Sequence, residues 1–257
     1  MVKRSVLVSV AAARRAERTL VRFQQLNTMT ETQLMSVLKR DPRDAHPWVR
    51  AAAIHGVVEA QLRFGGMLLE GNGVQQDRAA ACRWFLRAAQ AGNAEAMNMA
   101  GRCYENGWGV PTNERKAADW YRRSAECGHD WAEYNYAHML FDGRGGVRPD
   151  RIAAFTFYRR AARRGHVRAM NLVARCLEAG WGVPADPDEA ADWYRRSAEA
   201  GYFRAQFNHA AILARRGEIA EAMIWLDRAR NGGDDAMSDH VRSALAVLDA
   251  VLSGSRP

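Results

Sequence analysis

A nine-residue word, ADWYRRSAE, occurs twice in this chain, at Ala118–Glu126 and again at Ala191–Glu199. Each copy follows a GWGVP loop, Gly107–Pro111 and Gly180–Pro184. Two identical words in matching surroundings are internal duplication, and a duplicated unit of this length restricts the fold to a repeat architecture. The period is read from the alanines that open each unit, Ala60, Ala96, Ala132, Ala169 and Ala205, spaced 36, 36, 37 and 36 residues apart. The odd 37 has a visible cause, the Gly145-Gly146 pair where the other loops have one glycine. An aromatic stands 24 or 25 residues after each opening alanine (Trp84, Trp120, Phe157, Trp193), and a glycine eight residues further on (Gly92, Gly128, Gly165, Gly201). Trp48 with Gly56 and Trp225 with Gly233 repeat that spacing at either end, a half-repeat before the array and a shortened one after it.

The unit follows from local physics. A first helix, A, of about eleven residues starts at the alanine, Ala96–Asn106 in the second unit. Small residues recur along one edge of it (Ala96 with Gly101, Ala132 with Ala137, Ala169 with Ala174, Ala205 with Ala210), so a neighbour can come close. A G-x-G loop turns the chain at Gly71-Asn72-Gly73, Gly107-Trp108-Gly109 and Gly180-Trp181-Gly182. Val74, Val110, Val147 and Val183 are expected to plug that loop into the core. A second helix, B, starts at Asp77, Asn113, Asp150 or Asp186, residues suited to capping, and ends at the repeating glycine. The indoles of helix B are expected to wedge A and B apart. The fifth unit has Arg215-Arg216-Gly217-Glu218 in place of the glycine loop, which predicts a tight turn.

Before the array, residues Val2 to about Leu26 read as a basic amphipathic helix. Thr30 with Gln33 makes a capping box for a second helix, which Asp41-Pro42 is expected to end. After the array, Ala236–Leu252 reads as a capping helix. This divides the chain into 1–44 (capping helices), 45–235 (repeats) and 236–257 (cap and tail). The start Lys3-Arg4 mimics a signal peptide, but the apolar run is short and Arg14-Arg15 follow, so a retained helix and a cytoplasmic location are expected. The four cysteines (Cys82, Cys103, Cys127, Cys176) read as small buried apolar residues in a reducing compartment.

These residues together resemble the Sel-1-like repeat, a relative of the tetratricopeptide repeat. Within Ala96–Trp131 the pattern is carried by Gly101, Tyr104, Gly107, Gly109, Val110, Ala117, Trp120, Tyr121, Ala125 and Gly128, and the resemblance extends from about Trp48 to Gly233. It implies an all-α fold, a right-handed superhelical α-solenoid of about five helix-hairpin repeats between N- and C-terminal capping helices. It also implies a non-enzymatic adaptor or scaffold for other proteins, with no cofactor. Cysteine-rich secreted members staple A to B within a repeat, a pairing this chain lacks. Short bacterial members are sometimes encoded beside iron-uptake receptors, which makes a component of an iron-uptake system a candidate partner.

Helix A is expected to line the concave surface. The positions two, six and nine after the opening alanine read Leu62, Gly66, Leu69; Asn98, Arg102, Glu105; Tyr134, His138, Phe141; Asn171, Arg175, Glu178; and Phe207. A helical wheel points them away from the core, giving a polar groove with an aromatic middle that suits a partner protein or peptide. Tyr134 and Phe141 are either anchors for that partner or packing against the neighbouring helix A. The net charge of +8 brings in a second class of partner, nucleic acid. Its carrier would be a basic ladder on the B helices: Arg122-Arg123, Arg159-Arg160 with Arg163-Arg164, and Arg195-Arg196. Interleaved Asp119, Glu126, Asp192 and Glu199 favour a solvated face with local ion pairs instead. The seven histidines form no H-x-x-x-H and the cysteines no C-x-x-C, so no metal site and no catalytic residue are expected. Trp108 and Trp181 in the loops read as packing between repeats.

Overall fold

The computed structural model describes residue 17 and residues 19–38, 41–232 and 241–245. The described residues are helical with no strand, and the chain divides into two compact units, Met1–Cys127 and Gly128–Pro257. In the first unit, residues 19–28 are helical, followed by α1 (Glu31–Leu38), α2 (Pro42–Ile54), α3 (Val58–Glu70), α4 (Arg78–Gln90), α5 (Ala94–Asn106) and α6 (Glu114–Glu126). The second unit holds α7 (Asp130–Asp142), α8 (Arg151–Arg163), α9 (Val167–Ala179), α10 (Pro187–Glu199), α11 (Phe203–Arg215) and α12 (Ile219–Gly232), and residues 241–245 are again helical. Within each unit every helix from α2 onward packs against the next in sequence, the arrangement of an α-solenoid.

The helix starts are set by side-chain caps. Asp77, Asn113, Asp150 and Asp186 each accept a hydrogen bond from the backbone N–H three residues on, at 2.8–2.9 Å, as the sequence predicts for the B helices. The A helices begin two residues earlier than expected. In three of them the residue after the repeating glycine is a side-chain cap: Asn93 and the Nδ1 atoms of His129 and His166 accept from Ala96, Ala132 and Ala169, whereas Val57 and Tyr202 precede α3 and α11 without a side-chain cap. The opening alanine is therefore the third helical residue, whose N–H the cap takes. The B helices stop two residues short of the glycine. Ser124 and Ser197 of the repeated word donate to the first carbonyls of the paired A helices, Ala94 and Val167.

At the N-terminus Thr30 and Gln33 form the reciprocal capping box. The described part of α1 runs to Leu38, and Asp41 already lies outside the helix, in keeping with the expected stop at Asp41-Pro42. Asp41 also caps α2 by accepting from Arg43 N–H, and Pro42 opens that helix, where its missing N–H costs nothing. The helical residues 19–28 lie back on α2: Phe23 stacks on His55 at 4.1 Å and Arg22 lies over Trp48 at 5.9 Å. The whole of the expected signal-like stretch falls outside the described residues, as does most of the C-terminal helix, of which Val241 is buried against the core of the second unit. The Arg215–Glu218 segment is the expected tight turn, with Gly217 at φ +82°.

The wedge between A and B is not the indole. It is the residue after it: Phe85, Tyr121, Tyr158, Tyr194 and, in the last hairpin, Leu226, all fully or almost fully buried. A Cβ added to Gly65 would fall 2.6 Å from the Phe85 ring, and one added to Gly101 would fall 2.6 Å from the Tyr121 ring. The small edge of helix A thus receives this ring. Trp84, Trp120 and Phe157 are only half-buried, and Trp193 and Trp225 are buried near the threshold of solvent. Each is covered on one face by the arginine three residues on, with guanidinium-to-ring distances of 4.8, 4.3, 5.2, 5.0 and 4.5 Å for Arg87, Arg123, Arg160, Arg196 and Arg228.

The loops bind one hairpin to the previous one. A Cβ on Gly109 would sit 2.3 Å from the Cα of Ala79, and one on Gly182 would sit 2.1 Å from the carbonyl oxygen of Arg151, so both positions need glycine for close approach as well as for positive φ. Val74, Val110, Val147 and Val183 pack half-buried against the cores, as expected. Three of the four cysteines are buried, but Cys127 is exposed at the C-cap of α6. The thiols of Cys82 and Cys103 hydrogen-bond, which together with burial keeps Cys103 protonated.

Candidate interaction surface

The A-helix positions singled out from sequence fall into three groups. Asn98 and Asn171 are 5% exposed and do not line an open face, contrary to the helical wheel. They sit in the N-terminal half of helix A, which is closed in by neighbouring helices; Asn171 accepts a 3.0 Å hydrogen bond from Asn208 of the next A helix. Arg102, Glu105, Arg175 and Glu178 are accessible but already engaged. Arg102 lies over Trp108 at 4.8 Å and Arg175 over Trp181 at 5.5 Å, so each steadies the tryptophan of its own glycine loop. Glu105 and Glu178 accept the hydroxyls of the wedging Tyr121 and Tyr194, at 2.7 and 2.8 Å. Trp108 and Trp181 pack half-buried against their cores, and Trp181 meets Phe141 edge-on at 5.4 Å.

The third group is α7. Tyr134, His138 and Phe141 are half-buried and stand where the neighbouring repeats carry Asn, Arg and Glu. Tyr134 stacks on His166 at 4.7 Å and meets His138 edge-on at 4.7 Å, and Trp131 closes on His166 at 4.4 Å. Phe141 belongs chiefly to the core of the second unit, lying against Trp181. Phe207 is likewise half-buried, against the last hairpin. Burial pushes the Tyr134 hydroxyl above its ordinary range and pushes His166 below 6.5. His166 uses Nδ1 to accept the Ala169 N–H, so its proton resides on Nε2, which is buried and meets no hydrogen-bond acceptor. Leu62 and Leu69 are half-buried, and Gly66 faces open space.

Trp131 escapes sequence reasoning. It is 44% exposed and occupies the second position of α7, where the equivalent residues are Glu95, Arg168 and Arg204. Only comparison down that column of the repeat could have singled it out.

Most of the basic ladder is engaged within the protein. Arg122 pairs with Asp119 and Glu126 at 3.0 and 2.7 Å, and Arg195 with Asp192 and Glu199 at 3.4 and 3.0 Å. Arg160 and Arg164 both reach the fully buried carboxylate of Glu133, at 2.8 and 2.7 Å, and Arg159 reaches Glu189 at 3.2 Å. Arg123 and Arg196 cover indoles. No group of three or more histidine, cysteine or acidic residues is placed to hold a metal ion among the described residues. No helix among them is long and apolar enough to cross a membrane.

Capped helix pairs, each closed by a buried aromatic and locked to its predecessor by a glycine loop, define a helical-hairpin repeat protein. The Sel1 repeat matches residues 58–93, 94–129, 132–166 and 167–202, and the chain belongs to the Sel1 repeat family. The unmatched last hairpin, α11 with α12, lacks the glycine loop. Proteins built from Sel1 repeats generally serve as scaffolds for protein–protein contact. Among solved structures, the chain is similar to a protective antigen of uropathogenic Escherichia coli with an SLR fold, at 27% identity and TM-score 0.70, over 93% of this chain and 50% of that one. A Sel1 repeat protein from Oxalobacter formigenes is 28% identical, with TM-score 0.68, over 80% of this chain and 87% of that one. The chain thus spans half the length of the Escherichia coli protein. No curated protein sequence matches it significantly.

Proposed function

We propose that the protein is a non-enzymatic adaptor and that a partner protein binds the A-helix face of the second unit, with Tyr134 and His138 as its centre. The observation that carries this reading is the substitution of rings at α7 for the Asn, Arg and Glu of neighbouring repeats. In those repeats the charged side chains are occupied holding loop and wedge; in α7 partly exposed rings take their place. Aromatic residues on a rigid helix give large contact area at small entropic cost, the usual make-up of a binding hot spot. Arg175, Glu178 and Phe207 would border the contact. Arg102 and Glu105 are the corresponding positions in the first unit. Nucleic-acid binding has no comparable support, because most of the ladder arginines are paired with carboxylates or lie over rings.

The test is co-purification from the native host of the full chain and of a Tyr134→Ala/His138→Ala variant with an unchanged helical melt. Loss of a specific co-purifying protein from the variant is the expected result. Equal recovery with both would refute the assignment.

A further inference from the structure

The second position of the A helices changes along the chain from acidic to aromatic to basic. It is Glu59 in α3 and Glu95 in α5, where an acidic residue suits the positive end of the helix dipole. In the second unit it is Trp131 in α7, Arg168 in α9 and Arg204 in α11. A guanidinium at a helix N-terminus opposes the dipole, so Arg168 and Arg204 stand where helix stability alone would exclude them. Both are exposed, and neither forms an ion pair among the described residues. Arg168 lies over the Trp131 ring at 5.6 Å and Arg204 over the Phe203 ring at 5.7 Å. The hydroxyl of Tyr134 lies within reach of Arg168, and the Arg204 charge acts on it too.

A second, independent feature sits at the same place. His166 is 5% exposed, and its Nε2–H is a buried donor without an acceptor, on the side of the ring opposite the cap it makes to Ala169. The rings of Trp131 and Tyr134 lie against it at 4.4 and 4.7 Å. Leaving such a donor unmet costs free energy, which an acceptor would recover only once the rings that cover it give way. The carboxylate beside the cluster is Asp130, which accepts from the Trp131 N–H at 2.7 Å.

We propose that the N-terminal ends of α7, α9 and α11, centred on Trp131, Arg168, Arg204 and His166, dock an acidic segment of a partner protein. This rests on the reading of the A-helix face as a protein-binding surface and adds the chemistry of what it takes. Two unpaired guanidiniums and an unmet N–H donor call for carboxylates, and the exposed indole calls for an apolar side chain between them. Two cations are too few to track a nucleic-acid backbone, and Arg122 and Arg195 of the ladder are neutralised by their own carboxylates.

The experiment uses the full chain and a fluorescein-labelled decapeptide of alternating glutamate and leucine, read by anisotropy at about 50 mM and about 150 mM salt. The comparison probes are the same peptide with glutamine for glutamate and a single-stranded oligouridylate. Arg168→Glu/Arg204→Glu is the decisive variant, because it restores the charge the helix dipole favours. Its melting temperature is expected at or above that of the parent, so lost binding cannot be ascribed to unfolding. The glutamate peptide is expected to bind the parent at least about tenfold more tightly than it binds this variant, and than the glutamine peptide binds the parent. Trp131→Ala is expected to weaken it further, and Arg122→Ala/Arg195→Ala to leave it unchanged. Absence of glutamate-peptide binding to the parent, equal loss in the ladder variant, or preference for the oligouridylate would each overturn the proposal. None of these outcomes bears on co-purification through Tyr134 and His138, so the two readings fail separately.

Discussion

If the buried ring after each tryptophan is the true wedge, truncating it should cost more than truncating the tryptophan. The second hairpin separates the two cleanly. Tyr121 is 0% exposed, its ring fills the space left by Gly101, and its hydroxyl donates to Glu105 at 2.7 Å. Removing a buried aromatic of this size costs about 3–5 kcal/mol, because the surroundings relax only in part. Tyr121→Phe isolates the hydroxyl and should cost about 1.5–3 kcal/mol, the range for a hydrogen bond to a charged acceptor. Trp120 is half-buried and covered by Arg123 at 4.3 Å. Its truncation should cost roughly half of a full aromatic, about 1.5–2.5 kcal/mol. Urea unfolding followed by far-UV circular dichroism measures all three. With a slope of about 2 kcal/mol/M, Tyr121→Ala should move the midpoint down by about 2 M and Trp120→Ala by about 1 M. Should Trp120→Ala prove the more damaging of the two, the assignment of the wedge would be refuted.

Other expectations follow from single groups. His166 is neutral in the folded state, held below 6.5 by burial and further by the nearby Arg168 and His129 charges, with Asp130 opposing. A base whose folded value is depressed contributes stability above its unfolded value and loses it as pH falls through the folded one. Melting temperature should therefore drop below about pH 6.5, and His166→Asn, which caps without titrating, should flatten that drop; an unchanged slope would contradict the role of the cap. His209, also depressed chiefly by burial, leaves a residual slope in that variant. Of the four cysteines, Cys127 alone should react promptly with a thiol reagent in the native protein, the other three only on unfolding. Cys176, pushed up to about 11 by burial, should be among the slow ones even at mildly alkaline pH.

The helix pairs, their caps and their period were legible because they are local. An Asp or Asn before a helix accepts the N–H three residues on whatever surrounds it, and Gly107 or Gly180 turns the chain for reasons internal to the loop. The proposed binding surface was legible only in part. Tyr134, His138 and Phe141 share a helix as expected, but Asn98 and Asn171 are enclosed, because a helical wheel knows one helix and burial is decided by two or three. The A helices start two residues before the opening alanine, at the residue that follows Asn93, His129 or His166 in the capped cases, because the cap takes the N–H of the third helical residue.

The chain's own order of residues thus determined a Sel1-type array: small edge, glycine loop, polar cap, aromatic pair. Which member of that pair goes inside was left to tertiary structure. Neighbours in sequence point about 100° apart on a helix, so both Trp120 and Tyr121 could face a partner, and only the position of Gly101 on the adjoining helix draws in the tyrosine. The same holds for charge. A net +8 is fixed by composition, but that Arg122 and Arg195 are neutralised while Arg168 and Arg204 stand open depends on which carboxylates lie within reach once the helices pack.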